Sequence, residues 1–395
     1  MQLSASRHVP ELDGLRGFAI IAVLIHHQLT PFSLKGGFLG VDLFFVLSGF
    51  LITGLLLAEF ENTGGISIRN FYMRRVLRLG PALALYLVAC LAVAYYTAAI
   101  DLGRQAKLIA IALGYATNWR MAFGWDPILD ATAIIWSLSI EEQFYLAWPL
   151  LFFACLALKL RRRYIALGLA FAILAILVHR AVLFNGGTDL TRLYYGTDTR
   201  ADALLTGCLL ALLPPAMVGP KTTRWLKAAG LVSAAAFLYL LSTANFTDPY
   251  LYAGGFTAVA LLGGLVIWVA ANSPPQILSA VLRWYALRWF GHISYGLYLW
   301  HWLVVRSTSF YYLGYWEPWA RLALATAIAA GSFYLIEKRV NRLKSRFAAP
   351  SSPSQPHAQA TTRATTGADP VIPFIRSYSG KLVSYPAGED GTSTR

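Results

Sequence analysis

The chain has 395 residues, 57% of them hydrophobic and 13% charged, with 12 tryptophans and a mean hydropathy of +0.54. A soluble protein of this length would carry far too much apolar surface, so the composition excludes a soluble globular class and points to an all-α integral membrane protein. The formal net charge of +14 is divided among short loops. It reads as a topology signal and an attraction to membrane lipid headgroups, with no nucleic acid among the expected partners.

The first apolar run, GFAIIAVLIHH at 17–27, follows Asp13 and Arg16 and ends on His26 and His27. An ionisable group in a membrane segment faces a cavity, a partner or a functional path. On a helix, Arg16 and His27 lie close to three turns apart, on one face and about 16 Å from each other. Asp13 falls on the same side. His26 points about 80° away, so His27 is the one aligned with Arg16, although a rotated helix would exchange the two. Histidines bonded to neighbouring helices are the bland account of the same pair. No small-residue cleavage site follows, so the run reads as a mature helix.

Next, GGFLGVDLFFVLSGFLITGLLL at 36–57 places Asp42 inside an apolar stretch whose glycines allow close helix approach. Asp42 calls for a positive partner, and Arg16 or Lys35 are the candidates. In FYMRRVLRLGPAL at 71–83, Arg74 and Arg78 share a helical face with Arg75 beside them. That pattern serves either cytoplasmic anchoring or a mouth that grips the phosphates of an anionic donor. Residues 106–116 are too short to span and are expected as a buried or re-entrant piece.

WSLSIEEQFYLAWPL at 136–150 puts Ser137 and Glu141 on one face and turns Glu142 by about 100°. The adjacent carboxylates predict a polar cavity with Trp136 and Tyr145 as walls. TDTRADALLTG at 197–207 brings Asp198, Arg200 and Asp202 to the mouth of a span, as site residues or as a salt-bridge network. GHISYGLYLWHW at 291–302 offers His301 in an interfacial aromatic setting. Cys90, Cys155 and Cys208 lie far apart in apolar segments, where packing is their role, and no compact ligand pattern predicts a metal.

The apolar segments centre on 14–30, 38–60, 79–100, 131–157, 163–184, 201–217, 226–243, 250–271, 291–311 and 317–337, which gives about ten spans in one polytopic helical bundle. With the N-terminus inside, the arginines at 69–78, the basic run at 159–163, Lys221, Arg224, Lys227, Arg283, Arg288 and the basic residues at 338–346 all fall on cytoplasmic loops. Both termini are therefore expected in the cytoplasm. Residues 1–346 form the expected membrane domain. After Pro350 the composition changes to SSPSQPHAQATTRATTG, so 347–395 is expected as a disordered polar cytoplasmic tail. No internal repeat is evident.

LDGLRGFAIIAVLIHH at 12–27, GVDLFFVLSGFLI at 40–52, RRVLRLGP at 74–81, WSLSIEEQFY at 136–145, RADALLTG at 200–207 and ISYGLYLWHW at 293–302 together make the chain resemble the membrane acyltransferase-3 family. The resemblance covers residues 8–340. It implies a bacterial inner-membrane enzyme that moves an acyl group, usually acetyl from acetyl-CoA, to a hydroxyl of a carbohydrate, glycolipid or other glycosylated acceptor. Lipopolysaccharide, exopolysaccharide, peptidoglycan, Nod factors and sugars of secondary metabolites are the family's acceptors. It implies no tightly bound cofactor, the acyl-CoA being a substrate.

The family's arginine and histidine, separated by ten intervening residues, map to Arg16 and His27, which implies His27 as the catalytic base. Arg16, Asp13, Glu141 and Glu142 are then expected to orient groups or assist proton transfer, and Arg74, Arg75 and Arg78 to hold the CoA phosphates. Asp42, Trp136, Tyr145, Arg200, Asp202 and His301 are expected to contact substrate. Some members carry an added extracytoplasmic SGNH hydrolase-like domain. This sequence shows only the short polar tail, which is expected to weaken a peptidoglycan-specific reading and to leave the last transfer to the membrane core. A transporter of a sugar or lipid intermediate and a noncatalytic receptor or scaffold are the competing classes. Neither would consume an acyl donor.

Overall fold

Each apolar segment read from the sequence coincides with a helix, and no strand occurs among the described residues of the computed structural model, which are 8–28, 34–97, 100–126, 130–213, 219–307 and 311–347. In chain order the helices are α1 (Pro10–Gln28), α2 (Gly40–Thr63), α3 (Ile68–Thr97), α4 (Leu102–Leu113), α5 (Thr117–Ala122), α6 (Trp136–Ala157) and α7 (Arg162–Asn185). There follow α8 (Leu190–Tyr195), α9 (Thr197–Ala211), α10 (Pro220–Thr243), α11 (Phe256–Asn272), α12 (Gln276–Leu282), α13 (Tyr285–Ser307) and α14 (Glu317–Ser332).

Seven helical stretches among the described residues are long and apolar enough to cross a membrane: those containing α2, α3, α6, α7, α10, α11 and α14. The protein is a polytopic helical membrane protein. Helices α1, α9 and α13 are shorter or more polar because they carry Asp13 and Arg16, Arg200 and Asp202, and His292 and His301. Such helices avoid lipid by packing their polar residues inward. Arg200, Asp202 and His301 are accordingly almost fully buried.

Local signals set several ends. Gly64 adopts a left-handed φ of 74° and its N–H closes α2 on the carbonyl of Phe60. Asp101 and Asp189 accept backbone N–H bonds at the starts of α4 and α8. The segment expected to be buried or re-entrant is instead the amphipathic helix α4. Only Gln105, Leu108 and Ala112 on one face are buried, because a 12-residue helix satisfies its own backbone and needs to cover one stripe alone.

Contacts define two ends of the bundle. At one end His26 meets Leu34, Asn118 meets Tyr195 and Thr197, and Trp302 meets Asp130. At the other, Arg74 meets Glu59 and the carbonyl of Phe347, Arg162 pairs with Glu61, and Ser279 meets Glu11. The loop arginines of the charge pattern belong to the second end.

Two helix pairs pack backbone against backbone with a glycine from each helix. A Cβ on Gly17 would lie 1.8 Å from the carbonyl oxygen of Leu287, and one on Gly291 would lie 1.9 Å from that of Asp13, so α1 and α13 touch at two glycines. Gly49 and Gly207 do the same for α2 and α9, at 1.9 Å from Leu204 O and 2.1 Å from Val46 O. Gly17→Ala is expected to destabilise the protein by about 1–3 kcal/mol or more through overpacking. Gly54 has no atom within 4 Å of its would-be Cβ, so Gly54→Ala should be neutral or stabilising. Thermal unfolding of both variants in one detergent checks the opposite signs.

Candidate active site

Between α1, α2, α3, α6 and α13 lies a cavity of about 260 Å³. Its apolar wall is Val41, Phe44, Phe45, Leu51, Ile52 and Leu55, one face of α2 at helical spacing. Its polar side carries Arg16, Arg75 and Arg78 against a single carboxylate, Glu141. Glu141 accepts from Ser48 at 3.1 Å and from the Tyr145 hydroxyl at 3.0 Å, and lies 3.8 Å from Arg75. The Arg75 guanidinium sits 3.3 Å over the Tyr145 ring. Arg16 is 3.7 Å from Asp13. Arg78 has no ion-pair partner among the described residues. Positive charge therefore exceeds negative in a mostly apolar chamber, a setting that suits a phosphate-bearing ligand.

On α13 the cavity lining ends one turn short of the two histidines. Ser294, Tyr295 and Tyr298 belong to it, and Ser137 and Tyr298 share a 2.6 Å hydrogen bond. One turn further, the His301 ring lies 5.8 Å from that of Tyr298 and stacks on His27 at 5.3 Å. His301 Nε2 and His27 Nδ1 are 3.2 Å apart, and His301 Nδ1 is 3.1 Å from the carbonyl of Leu297. A carbonyl only accepts, so His301 Nδ1 carries a proton and its Nε2 offers a lone pair. His27 Nδ1–H then donates to it. That tautomer leaves His27 Nε2 as an unprotonated base, and a proton arriving there is stabilised by the hydrogen bond to His301. The edge of Trp302 closes the other side of His27, at 5.3 Å between centroids.

His26 takes a different role. Its Nδ1 is 3.0 Å from the carbonyl of Leu34 and its ring is edge-on to Phe38, so it ties α1 to the following turn. Arg74 also leaves the cavity: it pairs with Glu59 at 2.9 Å and donates to the carbonyl of Phe347 at 2.6 Å. Glu142 lies outside the cavity lining, as its 100° offset from Glu141 requires. Trp136 packs against Phe45, Tyr194 and Tyr195.

Asp42 pairs with neither Arg16 nor Lys35. Its partner is Arg200 at 2.8 Å, both side chains being at most 1% exposed. Arg200 also lies 3.8 Å over the Phe256 ring. Asp202 pairs with Arg180 at 3.0 Å, and Thr257 links the two by accepting from Arg180 and donating to Asp202. Asp42, Arg200 and Asp202 are thus held in closed buried pairs apart from the cavity. Asp198, at the start of α9, receives Arg192 and lies 3.0 Å from His179.

Sequence reasoning missed Ser48, Ser294, Tyr295 and Tyr298 of the lining. Spacing held the signal: Ser48 repeats the stripe 41, 44, 45, 48, 51, 52, and Ser294, Tyr298 and His301 follow at four and three residues. It also missed that His8, Asp13 and His292 bring potential ligand atoms within 4.8 Å of one another, since they come from distant parts of the chain.

The family profile described as an acyltransferase domain, Acyl_transf_3, matches residues 9–337. The chain belongs to this family. It is 36% identical over 359 residues to the peptidoglycan O-acetyltransferase OatA of Listeria monocytogenes, covering 85% of this chain and 56% of the relative. Identity to the Bacillus subtilis protein named "Putative peptidoglycan O-acetyltransferase YrhL" is 34% over 355 residues, 85% of this chain and 55% of the relative. A Staphylococcus aureus protein named "Putative O-acetyltransferase SACOL0978" is 34% identical over 325 residues, 78% and 52% of the two chains. The chain spans about half the length of these relatives. No solved structure matches it.

The buried pair between α2 and α9 generates a stability test. Arg200→Leu leaves Asp42 charged and unpaired and is expected to destabilise by about 3–5 kcal/mol. Adding Asp42→Asn should recover a measurable part of that loss. Thermal unfolding of the single and double variants, compared in one detergent, reads both effects.

Proposed function

We propose that the protein is an inner-membrane O-acyltransferase that moves an acyl group, acetyl from acetyl-CoA, onto a hydroxyl of a cell-envelope glycan. The observation that carries this reading is the placement of a cationic cavity next to a histidine pair: Arg16, Arg75 and Arg78 line the cavity with Tyr298, and the Tyr298 ring lies 5.8 Å from that of His301, which is hydrogen-bonded to His27. The ten apolar helices are read as ten spans, with both termini and the Arg75 end of the cavity in the cytoplasm, supported by the loop charge bias. Residues 347–395 are proposed as a separate polar tail; of these, 348–395 lie outside the described residues.

In this mechanism Arg75 and Arg78, with Arg16 deeper, hold the phosphates of acyl-CoA, and the thioester arm follows α13 toward His27. Arg74, occupied by Glu59, contributes anchoring rather than donor contact. His27 Nε2 removes the proton from the acceptor hydroxyl as its oxygen attacks the thioester carbonyl. Collapse of the tetrahedral intermediate breaks the C–S bond, and the CoA thiolate leaves with the proton returned by His27. Glu141, fixed by Ser48 and Tyr145, keeps Arg75 oriented over the chamber. Asp13 does the same for Arg16.

The direct test incubates the purified protein with labelled acetyl-CoA and fractionated envelope glycans and locates the label by mass spectrometry. The expected result is an acetyl ester on a glycan hydroxyl, and acceptor movement across liposomes without donor consumption would reject the enzyme reading. His27→Ala should lower transfer by about 10²–10⁴-fold with membrane insertion intact. His301→Ala should lower kcat markedly, because it removes the acceptor that fixes the His27 tautomer, while His26→Ala should be mild. Equal losses at 26 and 27 would reject the division of roles.

Donor binding is separable from anchoring. Arg75→Gln with Arg78→Gln is expected to raise the KM for acyl-CoA by about tenfold or more, from the loss of charge-assisted phosphate contacts. Arg74→Gln should leave that KM within about twofold. Initial rates at saturating acceptor, on protein shown to be correctly inserted, measure both.

A further inference from the structure

At the His27 end of the bundle, three aromatic rings lie in a row outside the site described above. Trp119 on α5 and Phe123 just after it are stacked with centroids 5.6 Å apart and planes 16° apart, and Phe123 and Trp125 follow at 5.6 Å and 21°. Nearly parallel rings at that separation are laterally offset, so they form a stepped flat surface whose faces stay partly open. Phe123 is 54% exposed and Trp125 65%. We propose that this row is a stacking platform for sugar rings of the glycan acceptor; the proposal rests on the acyltransferase reading and assigns that reaction an acceptor subsite.

The charges around the rings favour an uncharged ligand. The Arg192 guanidinium, 17% exposed, lies over the rings of both Trp119 and Phe123 at 5.3 Å from each centre, so it backs one face of the row, and it is tied to Asp198 by two hydrogen bonds. Arg104 is tied to Asp126 on the adjoining loop. The charges around the platform are therefore matched in pairs, which suits an uncharged, hydroxyl-rich ligand better than an anionic one. A pyranose has apolar C–H faces and a hydroxyl edge. Flat rings bordered by planar donors and carboxylates complement both.

The platform is also anchored to the reaction centre. Arg120, buried between the ring-bearing residues, pairs with buried Asp130 at 2.7 Å. The carbonyl of Asp130 accepts from Trp302 Nε1 at 3.0 Å, and Trp302 is the edge-on neighbour of His27. Asn118 donates to the carbonyl of Tyr195 and to Thr197, which holds α5 against the start of α9. A strand lying on the rings is thus referred through fixed bonds to the wall of His27 rather than through a free loop.

The test compares Phe123→Leu/Trp125→Leu, which keeps apolar bulk but removes the rings, with Phe123→Tyr/Trp125→Tyr, which keeps them. Full-length protein in nanodiscs is titrated with fluorescent chitooligosaccharides of increasing length without donor, and acetyl transfer to envelope glycan is assayed separately. The expected result is tighter binding to longer oligosaccharides, at least tenfold weaker binding and an equal rise in acceptor KM for the leucine variant, and near-normal values for the tyrosine variant. The acyl-CoA KM and the kcat at saturating acceptor should hold. Unchanged oligosaccharide binding and acceptor KM in the leucine variant would overturn the platform and assign the rings to the membrane interface. Ring-dependent binding in a protein that acetylates no glycan would uphold the platform and reject the acyltransferase reading instead.

Discussion

The contact between the backbones of α1 and α13 is the constraint on which the site depends. With no side chain on Gly17 or Gly291, the carbonyls of Leu287 and Asp13 come close enough to fill the places where those Cβ atoms would be. That approach fixes the rotation and rise of both helices. It sets Arg16 beside the cavity and, about three turns on, His27 within 3.2 Å of His301. A wider helix pair would separate the imidazoles, and His27 would lose the partner that defines its tautomer.

Electrostatics divides the buried charges into two populations. Around α9, Asp42 with Arg200 and Asp202 with Arg180 are matched one to one and sealed from solvent, so they hold helices together and have no free charge to offer a ligand. Around the cavity, three arginines face Glu141 and the neighbouring Asp13, and the surplus is positive. A desolvated surplus of this kind is stable only near solvent or with an anion bound. The cavity is thereby distinguished from the other buried charge clusters as a setting that suits an anion.

Much of this was legible in the sequence because helix periodicity is a local property. The alignment of Arg16 with His27, the offset of His26, the shared face of Ser137 and Glu141, and the turning away of Glu142 all follow from 3.6 residues per turn. What was not legible depends on which helix lies against which face. The sequence offered Arg16 or Lys35 to Asp42, and the partner came from Arg200, on α9. Arg74 shares a helical face with Arg78, yet Glu59 draws it out of the cavity. His301 carried no sign that its ring would meet His27, since 274 positions separate them. The segment 106–116 was read by length alone, and its one-sided burial as α4 depends on the surface beneath it.

The proposed mechanism puts the donor phosphates among Arg75 and Arg78 in the cavity and the acceptor hydroxyl at His27, beyond the Tyr298 wall. Sidedness tests this most directly. The protein is reconstituted in one orientation in sealed proteoliposomes, with membrane-impermeant labelled acetyl-CoA and glycan acceptor supplied in each of the four combinations of compartment. The account predicts transfer only when acetyl-CoA is on the side of the N-terminal end of α3, near Arg75, and the glycan is on the side of the loop carrying Asp130. Transfer that requires both substrates in the same compartment would contradict it.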